Sequence, residues 1–302
     1  MIYAWLGLLS IIWGGSFYFI KVLLEAFGPW GVTFMRCICG AFILFLCLLI
    51  TGKFKMRQVP WLALTGIGLI NCAIPWTLIA FSEHFLTSSL TSVLNAATPL
   101  WTVILGVLFF GMASHRMAWA GVLSGLIGIV ILVDIDWASF HVQHPIGIGA
   151  MVLSAICYGF GALLSKKHLQ SVPPYLTAFM TLLVSGLFAG IWMLLTERPR
   201  WDLVLDISIW PSLIGLGVFG SGIAYLLYYS ILQRGSAEFV TLVTYLVPPF
   251  AVMWGYLLLD EPLSWSLLVG MLFIFAGIFM TGRTKRVVNN FDGIHAHSDG
   301  QK

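Results

Sequence analysis

Few side chains in this sequence are able to do chemistry, and nearly all of them sit inside long apolar runs. Trp13-Gly14-Gly15-Ser16-Phe17 is followed by Lys21, and Tyr158-Gly159-Phe160-Gly161 by Lys166. Adjacent small residues soften a helix, and the aromatic rings beside them offer stacking faces. Such a segment suits a ligand-cavity lining and close helix packing equally well. Asn71, Pro75 and Trp76 form a second group, matched later by Gly222, Tyr225, Tyr228 and Tyr229. A third comprises Asn95 with Thr98-Pro99, and Thr244-Tyr245 with Pro248-Pro249. A proline inside a helix removes one backbone hydrogen bond and frees a carbonyl, so Pro75, Pro99 and Pro248 are expected helix kinks. Asn95 is a strongly polar group in mid-run, placed to hydrogen-bond across helices or to a substrate.

Charges within or beside these runs are scarce. Arg36 falls in the second turn of its run and Glu83 ends the next one. A charge inside a bilayer costs roughly 3 kcal/mol on insertion scales, so it turns inward and finds a partner. Arg36 with Glu25 or Glu83 would make a gate or coupling pair; an arginine reaching to lipid headgroups is the other reading. The absence of a mid-run carboxylate weakens a proton relay built on Asp or Glu. There is no phosphate loop, metal-ligand cluster, catalytic carboxylate pair or nucleophile motif, so no enzyme, cofactor or metal is expected. Five cysteines (Cys37, Cys39, Cys47, Cys72, Cys157) lie in apolar runs and read as buried small hydrophobes.

The elements that must position these residues are membrane helices. Sixty percent of the chain is hydrophobic, only 9% is charged and the mean hydropathy is +0.97. A soluble domain carries about 25% charged residues. An integral membrane protein follows, and the net charge of +3 implies no nucleic-acid partner. The run from Ile2 to Ile20 lacks a basic n-region and a cleavage pattern, and reads as a first membrane helix of roughly 20 residues. Ten spans are expected near Ile2–Ile20, Gly31–Ile50, Trp61–Phe81, Ser88–Phe110, Met117–Val133, Ile146–Leu164, Leu176–Leu195, Trp210–Leu232, Phe239–Leu259 and Leu263–Gly282. All must be helical, because lipid offers an open backbone no partner. Trp30, Trp61, Trp119, Trp201, Trp210 and Trp265 fall at span ends, as an aromatic belt requires.

Alternate loops differ in charge. Lys53, Lys55, Arg57, Arg116, Lys166, Lys167, Arg234, Arg283, Lys285 and Arg286 fall on one side. Glu25, Glu83, Asp134, Asp136, Glu197, Asp202, Asp206, Asp260 and Glu261 fall on the other, with Lys21, Arg198 and Arg200 against the trend. The positive-inside rule then makes both termini cytoplasmic.

The chain also repeats itself. An offset of 149 residues carries Pro248 onto Pro99, Gly255 onto Gly106, Gly270 onto Gly121 and Gly277 onto Gly128. An offset of 145 joins Gly14 to Gly159, Lys21 to Lys166, Pro29 to Pro174 and Phe34-Met35 to Phe179-Met180. Two units are expected, 1–137 and 143–283, followed by a polar tail, 284–302, read as a disordered cytoplasmic extension. Five helices per unit is an odd number, so the second enters the membrane from the opposite side. The expected fold is therefore all-α, with ten transmembrane helices in two inverted five-helix repeats. Many secondary transporters use this arrangement for alternating access. The fifth and tenth spans carry glycine faces (Gly121, Gly125, Gly128; Gly270, Gly277) that read as close-packing surfaces.

The order and spacing of Trp13-Gly14-Gly15-Ser16-Phe17 with Lys21, Phe34-Met35-Arg36, Thr98-Pro99, Val247-Pro248, Leu259-Asp260-Glu261-Pro262-Leu263 and Gly270…Gly277 resemble the EamA-type transporters of the drug/metabolite transporter superfamily. The first repeat departs from that pattern, with Gly111-Met112-Ala113 where the second has Asp260-Glu261-Pro262. The resemblance covers residues 1–283 and implies a carrier in the cytoplasmic membrane, often an exporter of amino acids, other metabolites or amphipathic compounds. It implies a cavity lined by spans 1–4 and 6–9, with Trp13, Ser16, Trp76, Asn95, Tyr158, Tyr225 and Tyr245 toward the substrate. Protons are the candidate coupling ion and the unit is a monomer or homodimer. A passive channel of the same fold and a non-transporting membrane partner subunit are the rival readings.

Overall fold

The computed structural model describes residues 2–51, 60–112, 116–133, 144–169, 172–204, 206–234, 243–277 and 279–280. The tail 284–302, Lys53, Lys55, Arg57, Asp134 and Asp136 lie outside the described residues, as do the side chains of Lys166 and Tyr245. Within them the chain is helical throughout: α1 (Ile2–Leu23), α2 (Pro29–Thr51), α3 (Trp61–Ser82), α4 (Ser88–Phe110), α5 (Arg116–Val133), α6 (Pro145–His168), α7 (Pro174–Thr196), α8 (Ile207–Tyr228), α9 (Val243–Leu259) and α10 (Trp265–Gly277). Seven of these, α1 to α4 and α6 to α8, are long and apolar enough to cross a membrane; the described parts of α5, α9 and α10 are shorter apolar helices. Ile50, Leu62 and Trp265 are each more than four-fifths exposed. Large apolar side chains turned outward like this require a lipid surround, and the protein is an all-α, multi-pass membrane protein.

Two helices carry wide turns. Residues Leu69–Ala73 of α3 and Ile214–Ile223 of α8 are π-helical. Pro75, just beyond the first, has no N–H to give to the carbonyl of Asn71, and its own carbonyl accepts from Ser154 Oγ at 3.1 Å. An offset of 149 residues carries Leu69–Ala73 onto 218–222, inside the second π turn. In α4 the helical ladder stops at Asn95 and resumes at Thr98. Pro99 cannot donate to the Asn95 carbonyl, so the break falls where the ladder loses its bond. Pro248 and Pro249 lie inside α9.

The ends of α4 and α9 share one geometry. Gly111 has φ of 61° and Met112 N–H bonds the Gly106 carbonyl at 3.0 Å. Asp260 has φ of 52° and Glu261 N–H bonds the Gly255 carbonyl at 3.2 Å. Both are left-handed helix stops whose next N–H folds back to an orphan carbonyl.

The chain divides into two compact units. The first comprises Met1–Ala96 and His144–Leu263. In it α1 runs along α9 and α8, α2 along α7 and α8, α3 along α6 and α7, and the first segment of α4 along α6 and α9. Small residues permit these approaches: a Cβ on Gly14 would stand 2.6 Å from Phe250 Cβ. The second unit comprises Ala97–Gln143 and Ser264–Lys302. There α5 and α10 meet through their glycine faces, and Ser124 Oγ donates to the Phe273 carbonyl at 3.0 Å. A Cβ on Gly277 would lie 2.4 Å from the Gly121 carbonyl oxygen. Packing, one of the two roles open to these glycines, is the role they play here.

Gly277→Val should therefore force α5 and α10 apart and destabilise the protein by about 2 kcal/mol, the usual cost of overpacking. Gly66→Ala, with nothing within 4 Å of the added carbon, should be neutral or slightly stabilising. Thermal unfolding of the purified protein in detergent separates the two; equal midpoints for both variants would contradict the packing described.

Candidate functional site

Arg36 stands on the second turn of α2 and is only 6% exposed. Its guanidinium carbon lies 3.7 Å from the centroid of the Trp76 ring, well inside cation–π range. Its Nε donates to Ser221 Oγ at 3.3 Å. Ser221 sits in the π turn of α8 and passes its own proton to the Leu216 carbonyl, five residues back, at 3.1 Å. Tyr158 and Tyr225 are close enough to act on the charge electrostatically.

Aromatic rings build outward from this centre. Tyr225 meets Trp76 edge-on at 6.2 Å and Trp13 edge-on at 6.5 Å, and Trp13 lies 5.8 Å from Tyr228. Trp13 Nε1 donates to the Gly220 carbonyl at 3.2 Å, an oxygen of the π turn of α8. Ser16 packs at the same glycine and bonds its own backbone at Ile12. Trp13, Ser16, Trp76, Tyr158 and Tyr225, expected at a site from sequence, thus gather from α1, α3, α6 and α8 around Arg36 and the π turn. Asn95 stands at the break in α4; the Tyr245 side chain lies outside the described residues.

The ion pair expected between Arg36 and Glu25 or Glu83 is not formed. Arg36 makes no ion pair with a described carboxylate, because its side chain lies along the Trp76 face and bonds α8. A guanidinium has five donors in a planar fork that matches a carboxylate. Buried without an acid, it is able to take an anionic group, while the surrounding rings accept an apolar body.

A second cluster lies where α3, α4 and α9 end or begin. Glu83 closes α3 and is fully buried, and neither carboxyl oxygen has a hydrogen-bond partner. Lys21 Nζ donates instead to the carbonyls of Glu83 and Leu86. Glu261 anchors the start of α4: Oε1 accepts from Ser88 N at 2.7 Å and Ser88 Oγ at 2.9 Å, and Oε2 from Ser89 N at 3.0 Å and Ser89 Oγ at 2.6 Å. Glu197, at the end of α7, does the same for α2, accepting from Trp30 N at 2.7 Å and Gly31 N at 2.9 Å. A carboxylate at a helix N-terminus satisfies orphan N–H groups and meets the positive end of the helix dipole. A cavity of about 310 Å³ opens here, lined among others by Lys21, His84, Thr87 and Glu261.

From sequence Glu261 reads only as a helix end and turn, and neither Lys21 nor Glu197 carries a role. Their partners are backbone groups and two serines far along the chain, which no local motif announces. The one local signal is the acid at 261 where the first repeat has Met112.

Comparison with known proteins adds identity. The model of the EamA-like transporter family matches residues 1–134 and 145–283. The chain is 26% identical over 273 residues to Protein PecM of Dickeya dadantii strain 3937, covering 89% of this chain and 88% of PecM. It is 27% identical over 263 residues to the uncharacterized inner membrane transporter YedA of Escherichia coli K12, covering 85% and 82% of the two chains. An uncharacterized transporter of Archaeoglobus fulgidus is 22% identical over 284 residues, covering 93% and 98%. One solved crystal structure superposes with a TM-score of 0.68 over 94% of this chain and 97% of its own, at 18% identity, a likeness of fold.

The Glu261 anchor makes a stability prediction. Glu261→Gln replaces one acceptor oxygen by a donor facing Ser N–H and O–H donors, and should cost about 2 kcal/mol. Gly255→Ala should loosen the same contact, since a Cβ there would lie 2.5 Å from Glu261 Oε2. Unfolding midpoints equal to wild type for both variants would show that the anchor contributes nothing.

Proposed function

The chain belongs to the EamA-like transporter family, and we propose that it is a secondary transporter exporting amino acids or amphipathic compounds across the cytoplasmic membrane by alternating access. The observation that carries this reading is Arg36. A buried cation over Trp76, with Tyr158 and Tyr225 near it and no ion pair to a described carboxylate, is matched to a ligand with one anionic group and an apolar body. Such a site suits a zwitterion or a singly charged amphipath better than a phosphate ester. Trp76 at 5% and Ser16 at 6% exposure are closed off, so the ligand enters only when the surrounding helices part. Ser16, Asn95, Tyr158 and Tyr245 supply polar contacts, and the π turn before Pro75, the break before Pro99 and Pro248 within α9 let the lining bend.

The movement follows from two inverted repeats, 1–137 and 143–283, with five helices in each. Three features support this. The family model matches one stretch in each half. The π turns, and the left-handed stops at Gly111 and Asp260, recur at the 149-residue offset. In the first unit, exchange of halves carries the α1–α9 contact onto α6–α4, α3–α6 onto α8–α1, α2–α8 onto α7–α3, and leaves α2–α7 in place. A carrier of this kind has its termini in the cytoplasm, by the charge split between alternate loops, and takes protons as the coupling ion.

The test is accumulation of labelled amino acids and singly charged anionic amphipathic dyes in cells overexpressing the protein, with and without a protonophore. Wild type should lower accumulation, and the protonophore, Trp13→Ala, Asn95→Ala and Arg36→Ala should each abolish the effect. Equal accumulation in all strains contradicts export. Unequal accumulation that Arg36→Ala leaves untouched places the substrate elsewhere.

A further inference from the structure

Glu83 is a carboxyl with nothing to bond. It ends α3, is 0% exposed, and neither oxygen has a hydrogen-bond partner among the described residues. An ionised carboxylate stripped of water and donors is costly, and taking a proton removes most of that cost.

The charged groups facing it come from several elements. Lys21 on α1 is the natural counter-ion, yet its ammonium is held by the carbonyls of Glu83 and Leu86 and forms no ion pair. Arg36 on α2 acts on it weakly, and is stacked on Trp76. Glu261, beyond α9, is negative and fixed in place by four donors from Ser88 and Ser89. His84 follows Glu83 and feels Lys21 and Glu197, and His144 at the start of α6 lies against Phe85. The cavity of about 310 Å³ has Lys21, Glu261 and His84, next in the chain to Glu83, in its wall.

We propose that Glu83 is the proton-binding site of the transport cycle, and that its proton holds the Glu261 end of the bundle closed. With the proton on, two acids lie near each other with one charge between them, and Glu261 stays on the first turn of α4. When the proton leaves to water through the cavity, the Glu83 carboxylate repels Glu261 and draws Lys21 from the two carbonyls, and α4 is released. This rests on the proposed function for its place in a cycle, and it adds the residue and the direction of coupling.

The pH dependence has a definite sign. Burial pushes the Glu83 carboxyl well above the usual carboxylate range; Lys21 opposes the rise, Glu261 adds to it, and Arg36 opposes it. In an open, solvated state the group returns to about 4.3. Between those two values the closed state holds one proton more than the open state. Closure is favoured at low pH and lost as pH rises, by about tenfold in the open–closed ratio per pH unit.

Ser92, 1% exposed on the turn of α4 below Ser89, reports the opening. The full chain carrying Ser92→Cys, in detergent, is labelled with a maleimide across a pH series, beside the same protein with Glu83→Gln. The ratio of the two rates cancels the chemistry of the thiol. It should be near one at low pH, climb by up to about tenfold per pH unit between the open-state and closed-state values of Glu83, the slope of a single proton, and level off above them. Glu83→Asp, which keeps a carboxyl, should retain the climb at a displaced midpoint. A flat ratio, or a Glu83→Asp profile identical to wild type, overturns the proposal. Labelling needs no substrate, so the two readings fail separately. A flat ratio with proton-dependent export intact sinks the role of Glu83 alone; a climbing ratio in a protein that exports nothing sinks the exporter alone.

Discussion

A charge carried into a low-dielectric interior must be met by something, and the first unit is arranged around the ways its charges are met. Arg36 lies along the face of Trp76 and against a serine in the π turn of α8. That contact fixes the rotation of α2 and brings α3 and α8 to the same place, and the rings of Trp13 and Tyr225 close around it. None of these partners carries a full negative charge. Among the described residues the arginine is met by the Trp76 face and a serine hydroxyl.

The acids are met differently. Glu197 and Glu261 each sit at the first turn of a helix from the other half of the chain, where unpaired N–H groups are available. Both anchors bind second-half carboxylates to first-half helices. At the position 149 residues before Glu261 the chain has Met112, after a left-handed residue as Glu261 is and against Gly106 as Glu261 is against Gly255. The turn recurs at that offset and the carboxylate anchor does not. Glu83 is the acid left unmet, and a proton is its remaining partner.

Much of this was legible in the sequence. Membrane character followed from nine percent charge, and the seven long apolar helices fall where hydropathy puts them, with ends differing by a few residues. Trp13, Trp76 and Tyr158 stand beside glycine or proline in apolar runs, a pattern that fits packing and cavity lining alike, and the structure brings them together with Tyr225 near Arg36. Three things could not be read. The π turns depend on how α3 and α8 pack, and a glycine-rich stretch such as Gly215–Gly222 is equally compatible with an ordinary helix. The partners of Glu261 are backbone and hydroxyl donors of Ser88 and Ser89, more than half the chain away. Of the two readings of Arg36, an acid partner or a reach to headgroups, neither describes the contact it makes, because opposite charge is only one way to satisfy a guanidinium and the Trp76 face lies against it. Tyr245 and the charged loops at Lys53–Arg57 lie outside the described residues, so their roles rest on pattern alone.

In the proposed cycle a buried aromatic–arginine site is exposed alternately to the two sides of the membrane. Counterflow in vesicles reconstituted with the purified protein addresses it most directly, using whichever labelled amino acid or dye the cells exclude. The account requires that unlabelled compound inside accelerate entry of label from outside, that the effect saturate, and that Arg36→Ala remove it. Flux that rises without limit with concentration and ignores the compound on the far side would make the protein a pore, and would contradict alternating access at this site.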